Sequence, residues 1–199
     1  MTRTWRKETG LALWSFWIRP PAPHGIPTTT TTTRLTTAVT TALHCLPGFA
    51  EPSWLEATTH QQGDLLLHPV TIHTATRTLN QLATQHPDLT TIRITCDLLI
   101  TTTPDQPEHT EPETASLAVI ALPASATHSN SRLLLTLRLD IDIYATQTHA
   151  QNPNNQTLAA INQPRLTNFL TRLHQHLHTE LEDLHAPDYP HNTTTHGFT

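Results

Sequence analysis

Four residues near the C-terminus form the best-spaced ligand set in the chain: His174, His178, Glu182 and His185. On one continuous helix, at about 100° per residue, they would fall within about 80° of one another. Two imidazoles at i, i+4 chelate a borderline-soft divalent ion, and a carboxylate one turn on supplies a third ligand. The chain holds 15 His, however, so neighbouring histidines also arise from composition alone. The stripe lies roughly a right angle from the leucine stripe of the same segment, where solvated residues belong. A metal-binding protein, or a metal-dependent enzyme, is therefore the alternative reading and not the first.

A second constellation is polar. Arg93 and Asp97 sit in one expected strand, and Arg138, Asp140 and Asp142 in another. In an extended chain Asp140 and Asp142 point the same way about 7 Å apart, close enough to raise one carboxyl pKa or to hold a cation. Short DxD pairs and mixed charges are also ordinary on a sheet face turned to solvent. A protein-contact surface, with both acids exposed and Trp17 nearby as an aromatic anchor, outweighs catalysis there. Trp5 and Trp54 are candidate anchors as well, while Trp14 belongs to the core.

Other chemistry is excluded. The five glycines (Gly10, Gly25, Gly48, Gly63 and Gly197) are isolated, so no glycine-rich turn can bring backbone N–H groups against a phosphate. There is no HExxH and no GxSxG. Lys7, the single lysine, stands too near the start to serve a kinase-type site. Cys45 beside His44 fails as a nucleophile–base pair, because adjacent helical side chains diverge by about 100°. Cys45 and Cys96 lie far apart with no CxxC, which reads as two buried free thiols. No cofactor is expected.

Composition bounds the rest. Roughly one residue in five is Thr, Arg outnumbers Lys, and the apolar fraction is 36%. The enriched types (Thr, His, Pro, Gln, Asn) share codons written largely in C and A, so nucleotide skew set much of this surface. A net charge of −5 argues against a nucleic-acid binder, which needs clustered cations to displace counterions. The apolar run Leu11–Ile18 is too short to span a bilayer, and Arg19-Pro20-Pro21 follows it where a signal peptide needs a cleavage site. The expected location is cytoplasmic, with no membrane partner.

The elements that must position these residues follow from periodicity. Trp5–Ile18 alternates as a strand, with Ala12, Trp14, Phe16 and Ile18 on one side and Leu11, Leu13 and Trp17 on the other. A proline-rich loop (20–27) leads to a helix carrying Leu35, Val39, Ala42, Leu43 and Leu46, stopped by Pro47-Gly48. Ser53-Trp54-Leu55-Glu56 fits a capping box for a short helical turn. A helix over 71–85, strands over 91–100, 117–122 and 132–144, and an acidic loop over 104–113 come next. Polar connections over 125–131 and 152–156 separate the last elements. Asn162 with Pro164 marks the start of a long final helix through Leu166, Phe169, Leu170, Leu173, Leu177, Leu181 and Leu184.

The order β-α-α-β-β-β-α predicts an α+β domain over 1–186: an antiparallel sheet of about four strands with helices on its apolar face, and a polar flexible tail over 187–199. The function expected on these grounds is non-catalytic binding of another protein, in the manner of an immunity or antitoxin-like inhibitor of a basic partner. A structural subunit that buries its apolar first strand in a homodimer is a further alternative.

Overall fold

Threonine-rich segments fold into two well-capped helices here because the hydroxyls find backbone partners. The computed structural model describes residues 5, 7–19, 30–103, 105, 107–123, 131–146, 155–189 and 193–198, with the backbone alone at 66–68. The expected proline-rich loop and most of the two polar connections lie outside the described residues. Helix α1 (Thr31–Cys45) starts at Thr30, whose hydroxyl accepts from the Thr33 N–H at 3.1 Å. Helix α2 (Ile72–Gln85) starts on a reciprocal box between Thr71 and Thr74. Within the helices Thr36, Thr41, Thr78 and Thr84 donate to carbonyls four residues back, which offsets the rotamer freedom a β-branched side chain loses.

The sheet is larger than the sequence led us to expect. Strands β1 (Lys7–Ile18), β2 (Ala50–Thr59), β3 (Gly63–Pro69), β4 (Leu89–Ile100), β5 (His109–Leu122), β6 (Arg132–Ile141) and β7 (Thr179–His185) form one antiparallel sheet in the order β3-β2-β4-β5-β6-β1-β7. The α+β class holds, but seven strands replace the expected four. The additional strands are the hairpin β2–β3 and the edge strand β7. Ser53–Glu56, expected as a helical turn, is the middle of β2. Part of the expected acidic loop, 109–113, belongs to β5.

Helix α3 (Gln156–Leu177) begins two turns before Asn162 and ends seven residues before Leu184. His178 closes it in the left-handed conformation at φ 49°, ψ 48°, and the chain turns directly into β7. Asn162 is no cap. Buried inside α3, it accepts from the Thr101 N–H and donates to the Thr101 carbonyl, both at 2.9 Å, so its side chain acts as a one-residue strand partner at the end of β4. No helix of the described residues is long and apolar enough to cross a membrane.

All three helices pack on one face of the sheet, the inner face. Leu133, Leu135, Leu137, Leu139 and Ile141 of β6 meet Ile92, Ile94, Leu117, Val119, Trp14 and Phe16 of neighbouring strands in one cluster with Leu35, Leu43, Leu79, Phe169 and Leu173. Phe49, in the turn after α1, stacks on Phe169 with ring centroids 4.4 Å apart. The chain after Ala186, expected as a polar tail, brings Tyr189 and Phe198 into this core. A small hairpin, β8 (Thr193–Thr194) with β9 (Gly197–Phe198), sets Phe198 edge-on to Trp14 at 5.7 Å. A Cβ at Gly197 would stand 3.2 Å from Leu166 Cδ2, and its φ of +118° also requires glycine.

Both cysteines are buried free thiols. Burial pushes Cys96 from its ordinary 9.0 up to about 12, with Asp97 beside it adding in the same direction. Unfolded, the thiol loses its proton from about pH 9; folded, it holds the proton to about 12. The folded state therefore binds more protons in that window, and stability that is complete below pH 9 falls as pH rises through it. We expect urea midpoints to decline more steeply between pH 9 and 12 for the native chain than for Cys96→Ala. Parallel declines would show that Cys96 is not held in this way.

Candidate functional site

The inner face is used up by the core, so surface chemistry must come from the other face of the sheet and from its edges. Register places the outer-face residues in three rows across the strands. One row runs Trp54, Thr95, Ser116, Arg138, Leu13. The next runs Glu56, Arg93, Ala118, Thr136, Ser15, Asp183. The third runs Thr58, Thr91, Ile120, Leu134, Trp17, Glu180. Small side chains (Ala118, Thr136 and Ser15) occupy the centre of the middle row, with Ala118 and Ser15 buried. No described helix packs over these rows.

Trp54 is 43% exposed at one end of the outer face. Trp17 stands at the other, half-buried, with the Arg132 guanidinium 3.6 Å above its ring centroid and its indole N–H donating to the Glu182 carboxylate. Arg93 is exposed and pairs with Glu56 at 3.4 Å, an ion pair open to solvent on both sides. Of the residues expected on this surface, Arg93, Arg138 and Trp17 are there. Glu56, expected in a helical cap, joins them, as do Arg132 and Leu134, for which no surface role is expected from the sequence. The alternation that would have revealed Glu56 is interrupted by the β2 irregularity between Pro52 and Trp54.

The three aspartates have other work. Asp97 Oδ1 accepts from the Glu113 N–H at 2.9 Å, where β5 departs from regular pairing and Glu113 takes a φ of 53°. Asp140 is only 7% exposed; it accepts from the Gly10 N–H and from Arg138 Nη2 at 3.1 Å. Gly10, at φ 74°, sits in the irregularity of β1. Each of these carboxylates thus anchors a left-handed residue on a neighbouring or nearby strand. Asp142, expected to face solvent with Asp140, is fully buried and accepts from the Tyr189 hydroxyl at 3.0 Å. β6 has ended by then, so the period-two projection from Asp140 to Asp142 does not apply. The turn that follows is clamped by Asn155 Nδ2, which lies 3.0–3.3 Å from the carbonyls of Asp142, Ile143 and Ala145.

The expected His/Glu stripe is divided between two elements. His174 lies in the last turn of α3 and His178 is its left-handed cap. Glu182 and His185 are on β7, where Glu182 faces Trp17 and His185 pairs in register with Leu13. Among the described residues no group of three or more His, Cys, Asp or Glu side chains is arranged to hold a metal ion. His174 and His178 instead line an open groove of about 520 Å³ with Arg19, Thr179, Glu180 and Leu181. Arg19 reaches across the sheet edge to Glu180 at 3.0 Å. A second opening of about 260 Å³, lined by Leu184, His185, Ala186, Pro187 and Thr193, lies at the far end of the same strand.

Comparison of the chain with protein-family models, with curated proteins and with solved structures finds no match.

A buried acid and an exposed ion pair respond differently to charge reversal. Asp142→Lys places an ammonium where Tyr189 donates a hydrogen bond, and we expect a cost above about 3 kcal/mol or outright unfolding. Glu56→Lys should cost less than about 1 kcal/mol. Urea denaturation of both variants checks this; a tolerated Asp142→Lys would place that side chain at the surface.

Proposed function

We propose that the protein is a non-catalytic binding module and that the outer face of its sheet is the contact surface for another protein. The observation that carries this reading is the set of large side chains on a sheet face with no described helix over it. Trp54 lies at one end, Trp17 with Arg132 at the other, and Arg93 and Arg138 between. Tryptophan and arginine are the residue types that most often dominate binding energy when a partner desolvates them.

Charge bears on the kind of partner. Arg93, Arg132 and Arg138 are each engaged within the face, by Glu56, the Trp17 ring and Asp140. Acidic side chains dominate one margin: Glu180, Glu182 and Asp183 are all exposed on β7. This margin, in place of the Asp140–Asp142 pair, is the support for a basic partner, such as the target of an immunity or antitoxin-like inhibitor. Association would then be steered by charge and slowed by salt.

The test uses wild-type protein and Trp54→Ala in cross-linked pull-downs from native lysate, with circular dichroism as the fold control. Loss of a tryptophan anchor costs about 2 kcal/mol or more, so recovery of the principal partner should fall roughly thirtyfold in affinity. Equal recovery would remove the outer face from the function. Concentration-dependent sedimentation as a dimer, abolished by Trp54→Ala, would replace the partner protein with a second copy of the chain.

A further inference from the structure

We infer that the free edge of β7 accepts an extended basic segment of the partner protein as an eighth strand. The inference rests on the binding reading above for the kind of partner, but on a different surface. Among the described residues β7 ends the sheet order and pairs with β1 alone. Its other side presents backbone N–H and C=O groups that no described residue engages. A row of unpaired strand groups is a template for strand addition unless something blunts it. At the opposite edge β3 ends in Pro69, which has no N–H to offer. β7 contains no proline.

Two features make this edge selective. The first is the pair of openings along it, one at Thr179–Leu181 and one at Leu184–Pro187. Strand addition derives affinity from main-chain hydrogen bonds and specificity from pockets that take alternate side chains. At about 3.3 Å per residue the seven residues of β7 offer about 23 Å of ladder, with one pocket at each end. Leu181, 37% exposed, lies in the first of them.

The second feature is charge. β7 reads Thr-Glu-Leu-Glu-Asp-Leu-His, with three acids and no Lys or Arg. Glu180 is met by Arg19 and Glu182 by the Trp17 indole, while Asp183 is exposed with no ion pair among the described residues. Pairing of this edge with the same edge of a second copy would set acids against acids. A lysine- or arginine-bearing strand would relieve that repulsion, so the edge excludes itself and admits a basic segment.

The experiment titrates the full-length, ¹⁵N-labelled chain with a synthetic decapeptide of alternating lysine and valine. We expect chemical-shift changes and slowed amide exchange confined to 179–187 and the residues around the two openings. Asp183→Lys should weaken binding roughly tenfold, and a glutamate–valine decapeptide should not bind. Trp54→Ala should leave peptide affinity within about twofold, which separates this inference from the outer-face reading. Absence of shifts on β7, equal binding of the acidic peptide, or indifference to Asp183→Lys would overturn it. So would a dimer that the peptide dissociates, since that would make β7 a self-pairing edge.

Discussion

Burial of one sheet face under three helices is the constraint from which the rest of the structure follows. Along β6 every second residue from Leu133 to Ile141 is buried in the cluster that also holds side chains of α1 and α3, and β4 repeats the pattern from Ile92 to Ile100. Each such side chain is worth about 1.5–3 kcal/mol when taken out of water. A slip of one residue in either strand would turn that whole set outward, so register is specified at the centre of the sheet. The peripheral strands inherit it through backbone pairing. The described helices occupy one side only, and no described helix lies over the other.

Polar side chains then decide where the regular ladder stops. Asp140 and Asp97 hold the irregular residues Gly10 and Glu113. Asn155 gathers the carbonyls of the turn after β6, and Asn162 ties α3 to Thr101 at the end of β4. Arg165 joins that last junction to Leu99 and Glu108. Asp140, Asn155 and Asn162 are buried, and Asp97 and Arg165 partly so. Most of their polar atoms are hydrogen-bonded, Asn155 Oδ1 excepted, so that this polarity specifies the structure at little cost. The acids that looked chemical in the sequence are in these positions, and the surface charge that remains belongs to the arginines of the outer face and the acidic edge.

Periodicity revealed the elements whose alternation is unbroken and hid those with a bulge. β4, β6 and α2 were legible because their apolar residues keep one period throughout. β2 was not: the irregularity between Pro52 and Trp54 resets its alternation, and Ser53-to-Glu56 spacing then imitates a helix cap. β7 was hidden in the same way. Its bulge at Glu182 puts Leu181 and Leu184, three apart, on the same inner face opposite Phe16 and Trp14. With Leu177 four residues earlier, that spacing continues the helical period of α3 through a strand. The His/Glu stripe depended on that continuation and dissolves with it. Arg93, Arg138 and Trp17 are legible because the alternation around each is unbroken, the irregularity of β1 lying before Ala12.

Helices cover one face of the sheet, and among the described residues none covers the other. Hydroxyl-radical footprinting of the free monomer, read at each tryptophan by mass spectrometry, tests this arrangement directly. Trp14 lies at 0% exposure on the inner face and Trp54 at 43% on the outer. Trp54 should be oxidised in the native state while Trp14 stays unmodified until the chain unfolds. Equal protection of the two would contradict the account, because the outer face would then be buried and unavailable to a partner.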